Sequence, residues 1–356
     1  MVYLFIYALL GSSSIFRIKQ FGNKKGWLCF LFVILLNIYG LRGKTVGWDN
    51  PSYLKVFNYG LNNVIEWFEP GYMAIDKAVF IFFHNYIFLQ FVIGGILLWG
   101  IFSFFYFTSY DIKLTIFIWF LFGVYFNYMN QVRQSLSTVV GMIAILLWKR
   151  NRIAGFAVAL FSVLFHYGGV VFILFLFLML FVDTVTKVRK FGRLIIIISV
   201  ALVFFNGTLQ LVLSRLPIAS MYINRFTSLG YIDRGSYRFA IFYTGIVVLC
   251  TYLFHRCSYA VKTENILYFS GMLMALFFGY MSITLNMIQR SINSFVPLVV
   301  VCISNLLSES KLSSSKKKIL IIVVLMVLSV YWVYYLAISN NGDGVDGVTP
   351  YTLFWQ

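Results

Sequence analysis

The chain is a succession of apolar runs cut by short basic breaks, and this alternation constrains its fold more than any motif does. A membrane span takes about 20 mostly apolar residues, roughly 17–25. Candidate runs fall at approximately 1–16, 27–41, 86–107, 114–129, 132–148, 153–166, 167–184, 194–210, 238–256, 265–284, 291–307 and 319–338. They predict about twelve transmembrane helices. Composition agrees: 61% of the residues are apolar and 11% charged, against about 45–50% and 25% in soluble domains. A soluble enzyme and a disordered chain are both excluded. The expected fold is an all-α polytopic membrane protein, a single integral membrane domain over 1–356.

Orientation follows from the breaks. The segments 17–25, 149–152, 187–193, 255–262 and 311–318 are basic, and basic loops stay in the cytoplasm. The intervening segments are then external, including two long ones, 42–85 and 211–237, and the tail 339–356. Within the first, Pro70–Tyr86 is apolar but carries Asp76, Lys77 and His84. A full crossing there would invert every later loop, so a re-entrant or interfacial helix is expected near 70–85. The apolar start ends in Arg17-Ile18-Lys19 and has no small-residue cleavage site, so a retained first span is expected. The four cysteines show no Cys-x-x-Cys spacing and predict neither a disulfide framework nor a zinc site.

The net charge of +17 divides unevenly across these sides. Inside loops hold 12 Lys and 6 Arg against 4 acids, a net +14; outside segments hold 3 Lys and 7 Arg against 7 acids, a net +3. The excess is a topology signal first, and nucleic acid is not an expected partner. Topology needs only positive charge, which lysine supplies. Arginine adds a planar fork that grips carboxylate and phosphate in pairs. An arginine-biased external face suggests an anionic ligand such as a lipid pyrophosphate, although arginines also snorkel from helix ends.

Four passages combine such groups. Arg42-Gly43-Lys44-Thr45-Val46-Gly47-Trp48-Asp49-Asn50-Pro51-Ser52-Tyr53 joins an arginine to a turn signal that holds Asp49 and Tyr53 at the external surface. Glu66-Trp67-Phe68-Glu69-Pro70-Gly71-Tyr72 sets carboxylates among rings, and Glu69 before Pro70 predicts a helix start. Trp67, Phe68 and Tyr72 offer faces on which a sugar stacks, and equally suit an interfacial aromatic belt. Arg133 opens a span in Asn130-Gln131-Val132-Arg133-Gln134, where an ionisable residue is expensive and is a functional candidate by default. His166 falls between two short spans in Phe165-His166-Tyr167-Gly168-Gly169, where it is suited to proton transfer or to a plain structural hydrogen bond. Arginines 215, 225, 234, 238 and 290 complete the external set.

Taken in order, these passages resemble the Wzy-type O-antigen and exopolysaccharide repeat-unit polymerases, in particular the EpsG-like branch. Arg42 to Tyr53 is similar to that family's arginine-glycine loop, with Trp48-Asp49-Asn50 where Thr-Asp-Tyr is commoner. Glu69-Pro70-Gly71-Tyr72 looks like its Glu-x-Gly-Tyr segment. Val132-Arg133-Gln134-Ser135 and Phe165-His166-Tyr167-Gly168 look like its Arg-Gln and Phe-His segments, and Thr349-Pro350-Tyr351 like its carboxyl end. The resemblance implies the architecture of C-type membrane glycosyltransferases in the bacterial inner (cytoplasmic) membrane, with the active site facing the periplasm. It implies transfer of a growing chain from undecaprenyl pyrophosphate to the next lipid-linked oligosaccharide, without metal or cofactor. Membrane lipid, a chain-length regulator and a flippase are the implied partners. Under this reading His166 is the base, with Asp49 or Glu69 as the alternative. Arg42, Arg133, Arg234, Arg238 and Arg290 face the pyrophosphate, and Tyr53, Trp67 and Tyr72 contact sugar. A lipid-linked oligosaccharide flippase or transporter, an O-antigen ligase and a membrane acyltransferase are the competing readings. A flippase would show mid-span charges and pseudo-symmetric halves, and neither is evident.

Overall fold

A computed structural model describes residues 1–15, 24–60, 68–205, 215, 237–284, 288–338 and 346–356. The described elements are helical, and the one bridge of extended backbone among them pairs Arg42 with Leu353. The helices are α1 (Val2–Ile15), α2 (Lys24–Gly40), α3 (Asn50–Asn58), α4 (Pro70–Phe83), α5 (Tyr86–Thr108), α6 (Ile112–Leu121), α7 (Val124–Asn130), α8 (Val132–Trp148), α9 (Arg152–Phe165), α10 (Val170–Met179), α11 (Val185–Phe204), α12 (Tyr237–His255), α13 (Tyr259–Glu264), α14 (Ile266–Thr284), α15 (Gln289–Glu309) and α16 (Ser314–Val333). The expected helix near 70–85 is α4, and α16 passes into a wider π-turn, Tyr334–Ile338.

Five helices, α5, α12, α14, α15 and α16, are long and apolar enough to cross a bilayer. The expected span 114–129 is broken into α6 and α7, which meet at 55°. Gly123 sits at the break with φ +76°, a conformation glycine adopts without strain. Counted as one, this pair makes a sixth span. Four further apolar helices have 10–17 residues, and α11 carries Lys187, Arg189, Lys190 and Arg193 in its first half. Length and composition therefore count five or six spans among the described residues, where the apolar runs alone predict about twelve. The chain is a multi-pass membrane protein.

Two compact units divide it, residues 1–176 with 314–356 and residues 177–313. In the second, α14 packs against α11, α12 and α15. In the first, α5 packs on α2 and α8, α8 on α9, and α4 on α5 and α9. The core of the first unit is α6, whose ten residues, all but Lys113, are buried.

The two ends of the chain meet within the first unit. Gly43 N–H donates to the Thr352 carbonyl (2.8 Å), Phe354 N–H to that of Leu41 (3.0 Å) and Gly47 N–H to that of Gly347 (2.8 Å). Buried Asp346 accepts from Asn130 Nδ2 (2.9 Å) and from the Tyr335 hydroxyl. The other end of the Asn130 amide accepts the Asp49 N–H at 2.9 Å. Asn50 ties the loop from within, donating to the Gly43 and Lys44 carbonyls and accepting from the Tyr86 hydroxyl (2.6 Å). The strap 346–356, the loop 42–50 and the end of α7 are thus one hydrogen-bonded assembly, and α3 and α8 start from it.

One close approach fixes how α4 meets α9. A Cβ at Gly71 would lie 2.8 Å from the Leu164 carbonyl oxygen and 3.0 Å from Phe165. A Cβ at Gly95 on α5 would meet nothing within 4 Å. Replacing Gly71 with Ala should cost about 1–3 kcal/mol through overpacking, seen as a lower melting temperature in detergent. Replacing Gly95 with Ala should leave that temperature unchanged or slightly raised, because Ala is the better helix former.

Candidate functional site

The site is built around Glu69. A residue before proline is pushed to extended backbone, and Glu69 has φ −66° and ψ 145°. Pro70 then occupies the first helical position of α4, where its missing N–H costs nothing. Glu69 is the N-cap residue by position, yet its carboxylate makes no capping hydrogen bond. The carboxylate is instead aimed sideways, at α8 and at the end of α9.

Two groups meet it there. Arg133, in the first turn of α8, forms an ion pair from Nη1 to Glu69 Oε2. His166, which ends α9 in extended backbone, brings Nδ1 to within 2.7 Å of Glu69 Oε1. The Tyr167 N–H also points to Oε1, at 3.4 Å. The Glu69 side chain is 2% exposed, while Arg133 and His166 remain 24% and 29% exposed. The carboxylate is therefore a buried hub with two partners that reach the surface.

Glycines on both sides permit this. Gly71 lets α4 approach the end of α9, as described above. Gly169 lets the short turn after His166 pack between α9 and α8, because a Cβ there would sit 2.7 Å from Ser137 Oγ. A Cβ at Gly168 would come within 3.4 Å of His166 Nε2, so glycine keeps space beside that nitrogen.

Aromatic rings form the wall. The Arg133 guanidinium lies over Phe68, 4.2 Å from the ring centre. Tyr53 from α3 packs edge-on against Phe68 (5.8 Å) and tilts against Tyr72 (5.2 Å). The Tyr53 hydroxyl is hydrogen-bonded to Arg133. Tyr72 is fully buried behind the others, and buried Asp76 follows one turn on.

The electrostatics sort the roles. Burial pushes the Glu69 pKa up, but the His166 hydrogen bond and the Arg133 charge overcome this and hold it below its usual 4.5. Glu69 is therefore an ionised acceptor near neutral pH. Its ionised oxygen requires His166 Nδ1 to carry the hydrogen, which leaves the Nε2 lone pair of a neutral imidazole available to accept a proton. This is the base-and-orienter arrangement of hydrolytic triads. Burial pushes the Tyr53 phenol up to about 12, so it stays protonated.

The predicted site residues thus separate. Glu69, Arg133, His166 and Tyr53 converge, with Tyr72 behind them, and Asp49 stands one turn before Tyr53, its carbonyl accepting the Tyr53 N–H at 3.2 Å. Arg42 lies in the same unit but is 2% exposed, with its guanidinium over the Tyr39 ring and Nη1 donating to the Tyr39 carbonyl. Arg238 and Arg290 are exposed in the first turns of α12 and α15, in the second unit. Trp67 and Arg234 lie outside the described residues. Sequence reasoning gave no role to Gly71, Asn130 or Asp346. Only the glycine carried a signal, by directly following the Glu69-Pro70 helix start. Among the described residues, no group of three or more His, Cys, Asp or Glu side chains is placed to hold a metal ion.

Removing Arg133 leaves a buried carboxylate with one fewer partner, and breaking such a pair typically costs about 3–5 kcal/mol. Arg133→Ala should therefore lower the melting temperature, and the added Glu69→Gln change should restore much of it. The sign with pH follows from the lowered Glu69 pKa. Its stabilising contribution is complete above the unfolded value and declines as pH falls through the folded one. The stability gap between wild type and Glu69→Gln should be flat above pH about 5.5 and should shrink below about 4.5, read from melting temperatures across that range.

The family described as EpsG matches residues 25–353. No curated protein and no solved structure matches the chain.

Proposed function

Since the chain belongs to the EpsG family, whose members act in polysaccharide biosynthesis as glycosyltransferase-like polymerases, we propose that it joins lipid-linked oligosaccharide repeat units into O-antigen or exopolysaccharide. The donor is a growing chain on undecaprenyl pyrophosphate, and the acceptor is a hydroxyl of the next lipid-linked unit. The reaction takes place on the periplasmic face of the bacterial inner membrane, where the sequence puts the arginine-biased segments. About twelve crossings bring those segments to one side, with the bent α6–α7 pair, the four shorter apolar helices, α2 and α11 counted as spans beside the five long ones. A flippase that supplies units and a chain-length regulator are the proposed partners.

The observation that carries this reading is the Glu69 hub with His166 and Arg133 as its two surface-reaching arms. The acceptor oxygen attacks the anomeric carbon of the donor. His166 Nε2 takes the hydroxyl proton, the bond from carbon to the pyrophosphate oxygen breaks, and the lipid pyrophosphate leaves with the electron pair. Glu69 fixes the imidazole tautomer and balances the imidazolium that forms. Arg133 faces the growing negative charge of the leaving group, a contact stronger in the transition state than in the ground state. Its fork carries five N–H donors, so it can serve Glu69 on one edge and an oxyanion on another.

His166→Ala should cut polymer formation by about 10²–10⁴-fold, the usual worth of a general base. Arg133→Lys should also be impaired, because a point charge does not replace a planar fork. The assay is the polymer ladder made by membranes at matched expression, supplied with lipid-linked repeat units. Full-length ladders from both variants would overturn the assignment. In cells lacking the protein, accumulation of single lipid-linked units on the outer leaflet supports a polymerase over a flippase.

A further inference from the structure

The first unit carries a cleft on the face of α3 opposite Tyr53. Asn50, Tyr53, Val56 and Phe57 form the buried face of this helix. Pro51, Leu54, Lys55 and Tyr59 recur at helical spacing on the other face and line a cleft of about 460 Å³ together with Lys44 and Thr45. That volume falls in the range of small-ligand sites, about 300–1,000 Å³.

Its chemistry is specific. Pro51 and Leu54 give an apolar floor, and exposed Tyr59 offers a ring face. The Lys55 ammonium lies 6.0 Å from the centre of that ring. Among the described residues lining the cleft there are two lysines and no carboxylate. Of the three lysines that the charge pattern puts outside (Lys44, Lys55 and Lys77), two line this one cleft. A flat ring beside an apolar floor suits the CH face of a sugar, and two lysines lining the same cleft suit a carboxylate or phosphate substituent on it.

We propose that this cleft is a binding subsite for an acidic saccharide, a segment of the chain or repeat unit that bears a negative charge. Because α3 carries Tyr53 on its opposite face, saccharide held here is anchored one helix diameter, about 10 Å, from the Tyr53 face that borders the Glu69 hub. The inference rests on the polymerase reading for its choice of a sugar ligand, not for the existence of the site.

The experiment measures binding and not turnover. The full chain in lipid nanodiscs is titrated calorimetrically with trigalacturonate, with maltotriose as a neutral trisaccharide and with inorganic pyrophosphate. Trigalacturonate should bind wild type, weaken with added salt, and bind the Lys44→Ala/Lys55→Ala variant at least tenfold more weakly. Maltotriose should bind both proteins weakly and alike. His166→Ala should bind trigalacturonate as wild type does, so loss of polymer synthesis without loss of binding separates the two proposals. Both lysines are exposed, so an unchanged melting temperature checks that the double variant is folded. No binding of trigalacturonate, or equal binding by wild type and the double variant, overturns the proposal. Pyrophosphate binding as tight as trigalacturonate and equally lysine-dependent also overturns it, because the cleft would then be a bare anion patch.

Discussion

One carboxylate at the head of α4 organises the first unit. An ionised carboxylate that is almost fully buried is tolerable only when cations and donors replace the water it has lost. Glu69 obtains them from α8 and from the α9 junction, two elements that are far from it in sequence. The same requirement that stabilises the charge therefore fixes the relative positions of α4, α8 and α9. It also sets the tautomer of His166 and the direction of the Arg133 fork, so structural need and chemical readiness are met by the same contacts.

A second constraint supports the first from below. The loop 42–50 has little secondary structure of its own, and its backbone groups are satisfied by the strap 346–356 and by Asn130. Buried backbone polar groups need partners, and here the partners come from the opposite end of the chain. Asn130 also immediately precedes the break from which α8 starts, three residues before Arg133. The carboxyl-terminal passage that resembles the family's thus has a physical role, since it holds the loop that presents Tyr53 and the lysine-lined cleft.

The arginine bias read from the sequence divides once geometry is available. Arg133 belongs to the hub, whereas Arg42 is buried over Tyr39 and holds the loop's entry, a packing role for a residue with an equally suggestive motif. Arg238 and Arg290 belong to the second unit. Residue type alone gave all of them the same role, because a guanidinium suits a buried carbonyl and an aromatic face as well as a phosphate.

Much of the architecture was legible in the sequence. The apolar runs and basic breaks determined an all-helical membrane protein. The Glu69-Pro70 pair determined where α4 begins, since proline restricts its neighbour whatever lies around it. The Asn130 to Gln134 passage marked the break before α8, and Phe165 to Gly169 marked the end of α9. These are local effects of backbone sterics and hydrophobicity. The break at Gly123 was not legible, because a single glycine in an apolar run does not announce a bend. Nor did any pattern say that Glu69, Arg133 and His166 touch. Glu69, His166 and Asp49 were competing candidates for one role, and only the 2.7 Å contact between the first two supports the proposal that they act together as orienter and base. The sequence by itself determined which groups were available and which side chains begin and end helices. The tertiary structure decided which of them share a proton and a charge, because burying Glu69 depends on partners about 60 and 100 residues away that no local rule can select.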